Sequence, residues 1–150
     1  MFENRILHLQ RMCHIRSKLQ KKTLTDKAFI FLVSRFYQYY LAFFYNSYIP
    51  IGATLGKNIK FNHSFHNIFI SEHCIIGDNV TILQNTTIGS NQPYDNKAPY
   101  IGNSVYIGAN CNIIGDVHIG NNSVVGAGTT IAKGRFPDGS KIVGPKYRVL

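Results

Sequence analysis

The stretch Ile76-Gly77-Asp78-Asn79-Val80-Thr81-Ile82-Leu83-Gln84-Asn85-Thr86-Thr87-Ile88-Gly89 carries an isoleucine on every sixth residue. The period extends outward in both directions, to Ile70 on one side and, after one interruption, to Ile101, Ile107, Ile113, Ile119, Val125 and Ile131 on the other. A helix repeats its apolar face every three to four residues and a strand every two, so a strict six fits neither. A short strand followed by a turn does repeat at six. Glycine follows the aliphatic residue at 77, 89, 102, 108, 120 and 126, and these glycines are expected to supply positive φ at the corners. Four places after the aliphatic residue comes a small or medium side chain: Cys74, Val80, Thr86, Val105, Cys111, Val117, Ser123 or Thr129. Such hexads predict a mainly β chain wound as a solenoid, with stacked coils burying one continuous aliphatic stripe.

The 150 residues, 45% of them hydrophobic, contain no apolar run long enough for an ordinary membrane span, so a soluble chain is expected. The net charge of +9 is uneven. Arg5, Arg11, Arg16, Lys18, Lys21, Lys22, Lys27 and Arg35 face only Glu3 and Asp26 in the first 45 residues. A solvated helix face, an anionic lipid surface and a polyanionic glycan are the alternatives for this segment. Nucleic acid is disfavoured, because no recognition motif accompanies the charge. Cys13, Cys74 and Cys111 have neither metal-site nor disulfide-framework spacing. Cys74 and Cys111 occupy the small inward slot and read as core residues. No secretory leader pattern opens the sequence, which points to a reducing, cytoplasmic compartment.

Before the hexads, residues 3–22 and 26–46 read as two helices, the second capped by Thr25 or Asp26 and crowded with rings from Phe29 to Tyr45. Covering the open end of the solenoid or a subunit contact is the first reading of this helix, and an interfacial membrane anchor the second. The boundary is placed at 1–46 for the helical segment and 47–150 for the solenoid. Ile49, Leu55 and Phe61 already share the spacing. Two breaks leave the column: an insertion at Asn62-His63-Ser64-Phe65-His66-Asn67, and a polar loop from Ser90 to Pro99. Regular coils offer repetitive surface, so chemistry is expected where the repeat breaks. After Ile131 the tail is expected to leave the repeat, and residues 144–149 to fold back or cap the column.

The run from Ile76 to Gly89, with Ile107-Gly108-Ala109 and Val125-Gly126-Ala127-Gly128, resembles the hexapeptide-repeat acyltransferases, and within them the serine acetyltransferase branch and its relatives in surface-polysaccharide synthesis. The resemblance spans about residues 49–150. It implies a left-handed parallel β-helix assembled as a homotrimer, with acetyl-CoA in the groove between neighbouring columns. It further implies that His63, in Phe61-Asn62-His63-Ser64, is the general base that deprotonates the acceptor hydroxyl. Asn62 and His66 then fall beside the acceptor. Ala109 and Ala127 match small residues lining the coenzyme groove, and Lys133 and Arg148 match basic positions that reach its phosphates.

Serine acetyltransferases have Asp before the catalytic His, where this chain has Asn62, and a second His before the Pro after the extended loop, where this chain has Ala98-Pro99. Both differences remove groups that hold the serine substrate. The acidic partner of the catalytic His is also missing near Tyr48. A neutral acceptor site suits a sugar hydroxyl, so the expectation is an acetyl-CoA-dependent O-acetyltransferase acting on a saccharide in capsule, exopolysaccharide or lipopolysaccharide synthesis. It would work in the cytoplasm, with the inner face of the cell membrane as a further expectation. The rivals are a serine O-acetyltransferase and a noncatalytic or metal-binding repeat protein. In a carbonic anhydrase relative, His63, His66 and His73 would be the imagined zinc ligands.

Overall fold

The computed structural model describes residues 2–18, 23–91 and 97–144. Two helices come first, α1 (Phe2–Ser17) and α2 (Leu24–Tyr45). The cap of α2 lies earlier than the sequence reading placed it. Thr23, in extended conformation, accepts from the Asp26 backbone N–H while the Asp26 carboxylate accepts from the Thr23 N–H, a reciprocal capping box. Thr25 and Asp26 lie inside the first turn instead. At the other end Asn46 adopts the left-handed conformation, φ 49°, and its N–H closes on Ala42 and Leu41. Both helices cover the first coil. Leu7, Tyr37 and Leu41 join its core, Gln10 Nε2 donates to the carbonyls of Pro50 (3.2 Å) and Ala53 (2.9 Å), and Gln38 Nε2 donates to that of Ile49 (3.1 Å).

Among the described residues the column then winds through fourteen short strands. The first coil contains β1 (Thr54–Leu55) and β2 (Lys60–Phe65); the second β3 (Phe69–Ile70), β4 (Ile75–Ile76) and β5 (Thr81–Ile82). The third contains β6 (Thr87–Gly89), β7 (Tyr100–Ile101) and β8 (Tyr106–Ile107); the fourth β9 (Asn112–Ile114), β10 (Val117–Ile119) and β11 (Val124–Val125). The fifth contains β12 (Thr130–Ile131), β13 (Gly134–Phe136) and β14 (Lys141–Ile142). All pairings are parallel and join each strand to its counterpart one coil away, giving three sheets: β1-β4-β7-β10-β13, β2-β5-β8-β11-β14 and β3-β6-β9-β12. The parallel β-helix read from the hexads is therefore present. A bridge from Tyr48 to Phe69 extends the third sheet into the first coil.

Register locates the irregularities. Phe69 pairs with Thr87 and Tyr100 with His118, in each case three hexads apart. Thr54 pairs with Ile75 and Ile75 with Tyr100, separations that exceed three hexads by three positions and by seven. Those are the lengths of chain that leave the column at the two breaks. One expectation fails at the far end. Instead of leaving the repeat after Ile131, the chain completes a fifth coil, with Val117 paired to Gly134, one position short of three hexads, and Val124 paired to Lys141. A single deleted position hides this coil from a count by sixes. Residues 145–150 lie outside the described residues.

The stripe is buried as expected, with Ile70, Ile76, Ile82, Ile88, Ile101, Ile107, Ile113, Ile119 and Val125 all at most 1% exposed. Cys74 and Cys111 lie inward among them, their thiols donating to the carbonyls of Ile88 and Gly126, each at 3.2 Å. Burial raises both thiol pKa values.

Positive φ at the corners falls to other residues than the glycines named from sequence. Asn58, Asn67, Asn79, Asn85, Ser104, Asn110 and Asn122 take it, with φ between 53° and 58°; Asn tolerates this region better than most L-residues. At Gly77, Gly102, Gly108 and Gly120 glycine is required instead by close approach. A Cβ on Gly77 would lie 2.8 Å from the Gly102 carbonyl carbon, and one on Gly102 would lie 2.8 Å from the Asn121 nitrogen. The corner asparagines also pair down the column: Asn46 donates to Asn67 (2.8 Å), Asn67 to Asn85 (2.8 Å) and Asn85 to Asn110 (3.0 Å).

Candidate functional site

The first break opens where the chain turns from the second sheet into the third. β2 runs past its paired residues, Lys60 and Phe61, and carries Asn62 and His63 outward, both exposed. Ser64 then reverses the chain in the left-handed region, φ 57°, and Phe65 returns to the core. Phe65 is anchored by Ser47, whose hydroxyl donates to its carbonyl and accepts from the Ile68 N–H. Its ring packs against Phe61 (4.8 Å) and Tyr45 (5.5 Å). A rigid aromatic base thus holds an exposed imidazole. His66 is exposed too, with its ring edge-on to Tyr45 at 5.1 Å.

The same corner of later coils contains Leu83 to Thr86, then Gly108 to Cys111, then Gly126 to Thr129. Ala109, half-buried, and Ala127, exposed, therefore stand in the corner column headed by His63. They are tied to one another through the Gly128 N–H, which donates to the Ala109 carbonyl at 2.8 Å. With neighbouring strands about 4.8 Å apart, they lie two and three coils below His63, or about 10 and 14 Å along the axis. The structure thus brings His63, Asn62, His66, Ala109 and Ala127 to one edge of the column. Lys133 is not on that edge. It lies beyond β12, at the corner joining the third sheet to the first. Arg148 falls outside the described residues.

Lys133 has company that sequence reading did not identify. Asn91, Lys97, Gly115, Asp116, Ala132 and Lys133 line a cavity of about 210 Å³. Asp116 is engaged by Arg135 at 3.6 Å, with both side chains largely exposed. The signal for Lys97 was its place at the end of the second break, before Pro99; residues 92–96 of that loop lie outside the described residues. Gln84 was also missed. It stands in the His63 corner one coil down, and its side-chain oxygen is buried without a hydrogen-bond partner among the described residues, as is the Thr129 hydroxyl further along the corner. Small side chains along the His63 edge and two lysines around the neighbouring cavity suit a long, slender, anionic coenzyme. Among the described residues of one chain, no three His, Cys, Asp or Glu side chains converge as a metal set.

Residues 98–133 match the family model of the bacterial transferase hexapeptide (six repeats). The match runs from just before β7 to just after β12, within the third to fifth coils of the column. None of the curated proteins matches the chain in sequence. Among solved structures, the solenoid is similar to the soybean serine acetyltransferase apoenzyme, at 26% identity and TM-score 0.74, over 97% of this chain and 56% of the soybean chain. It is also similar to the serine acetyltransferase of Brucella abortus in complex with coenzyme A, at 24% identity and TM-score 0.73, over 95% of this chain and 53% of that one. The Neisseria gonorrhoeae serine acetyltransferase is a third, at 26% identity and TM-score 0.71, over 89% and 49%. The chain spans about half the length of these enzymes.

Proposed function

We propose that the protein is an acetyl-CoA-dependent O-acetyltransferase whose acceptor is a saccharide hydroxyl, acting in the synthesis of a surface polysaccharide. The observation that carries the reading is the edge on which His63 stands above the slim corners of Ala109 and Ala127. Structures similar to the chain include a serine acetyltransferase complexed with coenzyme A. The donor supplies a thioester, an acetyl group already activated toward oxygen nucleophiles.

In this mechanism Ala109 and Ala127 leave room for the pantetheine arm beside the corner backbone, and Lys133 with Lys97 neutralises phosphate charge at the cavity they line. His63 accepts the proton of the acceptor hydroxyl as its oxygen bonds to the acetyl carbonyl carbon. As the carbon–sulfur bond breaks, the imidazolium returns that proton to the departing thiolate, so His63 ends neutral. Asn62 and His66 flank the hydroxyl and offer hydrogen bonds without a fixed carboxylate charge. The exposed position of His63 on the outside of one column suits a site completed by a neighbouring column of a homotrimer.

The acceptor is read as a sugar because Asn62 and Ala98 stand where the serine enzymes carry an acid and a histidine. The test is release of free thiol from acetyl-CoA by the purified protein with L-serine or with a panel of bacterial surface oligosaccharides. Glycan-dependent release supports the proposal. Serine-dependent release at a biosynthetic rate would replace it with the amino-acid acceptor.

A further inference from the structure

On α2, the residues Phe29, Leu32, Phe36, Tyr39 and Phe43 follow one another at steps of three, four, three and four, so they form one stripe along the helix. All five point away from the column and are between 39% and 83% exposed, whereas Tyr37 and Leu41 face the first coil and are buried. The stripe leaves on the order of 600 Å² of apolar and aromatic surface in solvent, the upper end of what a monomeric soluble protein shows. At its flank Arg35 lies over the Tyr39 ring at 5.2 Å and donates to its hydroxyl at 3.1 Å, an arrangement in which the cation and the phenol share one level at the border of the stripe. The helix has 22 residues but is not apolar enough to cross a bilayer.

Charge selects the occupant. The first 46 residues hold eight basic and two acidic side chains, six of the nine net positive charges of the whole chain. A second copy seated on the stripe would bring two such segments together, with only two acidic side chains in each to offset eight basic ones. An anionic lipid surface offers the complementary charge and, below its headgroups, an apolar layer for the rings. We propose that α2 docks in plane on an anionic membrane, with Phe29, Leu32, Phe36, Tyr39 and Phe43 inserted at the headgroup boundary and the basic N-terminal segment against the headgroups. This docking is independent of the reaction at His63.

The experiment is flotation of the full chain with phosphatidylcholine vesicles and with vesicles containing about one-third phosphatidylglycerol. Recovery with the anionic vesicles is expected to exceed that with the neutral ones by about tenfold or more, and to fall to the neutral level in a Phe36→Ser, Phe43→Ser variant. The chain contains no tryptophan, so Phe36→Trp provides a single reporter in a nearly unchanged surface; its emission should shift to the blue on addition of anionic vesicles. Equal recovery with both vesicle types, recovery untouched by the double substitution, or a Trp emission that does not move would each overturn the proposal. So would a drop in oligomer mass by light scattering in the double variant, which would assign the stripe to a second copy.

Discussion

His63 projects from a backbone fixed on both sides, by the paired residues Lys60 and Phe61 before it and by the buried Phe65 after it. Its replacement therefore tests chemistry more than folding. His63→Ala is expected to lower kcat by about 10²–10⁴-fold with an unchanged melting temperature; a loss smaller than about tenfold would place the base elsewhere. Ala127 tests the donor side. It is exposed, so Ala127→Leu should leave the column intact while raising KM for acetyl-CoA by about tenfold or more, with little change in the acceptor KM. The buried acids predict a pH dependence of stability. Burial raises the pKa of Cys74, Cys111 and Tyr37, so the folded chain keeps these protons after the unfolded chain has released them. The unfolded state then binds fewer protons, and stability falls as pH rises above about 8.5 and on through 10. Urea midpoints at pH 7.5 and 10.5 measure this; a midpoint that holds or climbs at the higher pH contradicts it.

Turns and caps decide where the elements begin and bend. Thr23→Ala removes half of the capping box and should cost about 1 kcal/mol, read as a lower melting temperature. Asn85 combines a left-handed backbone with two amide bonds of the ladder. Asn85→Ala should cost about 1–2 kcal/mol, and Asn85→Gly less, because glycine restores the backbone freedom but not the ladder. Equal losses in the two variants would show that the amides, and not the φ, carry the effect. These elements mark how far the sequence could be read. The six-residue stripe was legible because every inward residue obeys the same local geometry. The cap was misplaced because Thr23 and Thr25 are both competent, and only the Thr23–Asp26 spacing distinguishes them. Most of the glycines were assigned the wrong reason because their constraint is the neighbouring coil, as Gly102 is to Gly77 and Asn121 to Gly102, and no single hexad displays it. At the candidate site, His63 was singled out because it stands in a break and matches the histidine of the family the sequence resembles. The cavity of Asn91, Lys97 and Asp116 was not, since it forms only when the loop ends meet the corners of later coils.

For the whole molecule, the continuous aliphatic stripe makes the middle coil the most sensitive. Ile107 is completely buried between Ile82 on one coil and Val125 on the next. Ile107→Ala should destabilise by about 2–5 kcal/mol, more than the same change at Ile131, which is 6% exposed on the last coil; chemical denaturation of the two variants ranks them. Parallel sheets are ordinarily slow to fold, because partners far apart in sequence must meet before any contact rewards the search. Here every strand pairs with the coil next to it, and the widest separations, such as that of Ile75 from Tyr100, are one coil plus the loop of the second break. Scaled by the 150 residues of the chain, the separation of a strand pair such as Thr54 and Ile75 is about 0.14, in the intermediate range of mixed α/β domains. Each finished coil is also a template for the next, and the end closed by α1 and α2 leaves the ribosome ahead of the column. The nascent chain can therefore grow its column one coil at a time, as a crystal adds layers to a seed, each strand waiting for no more than the coil that follows it.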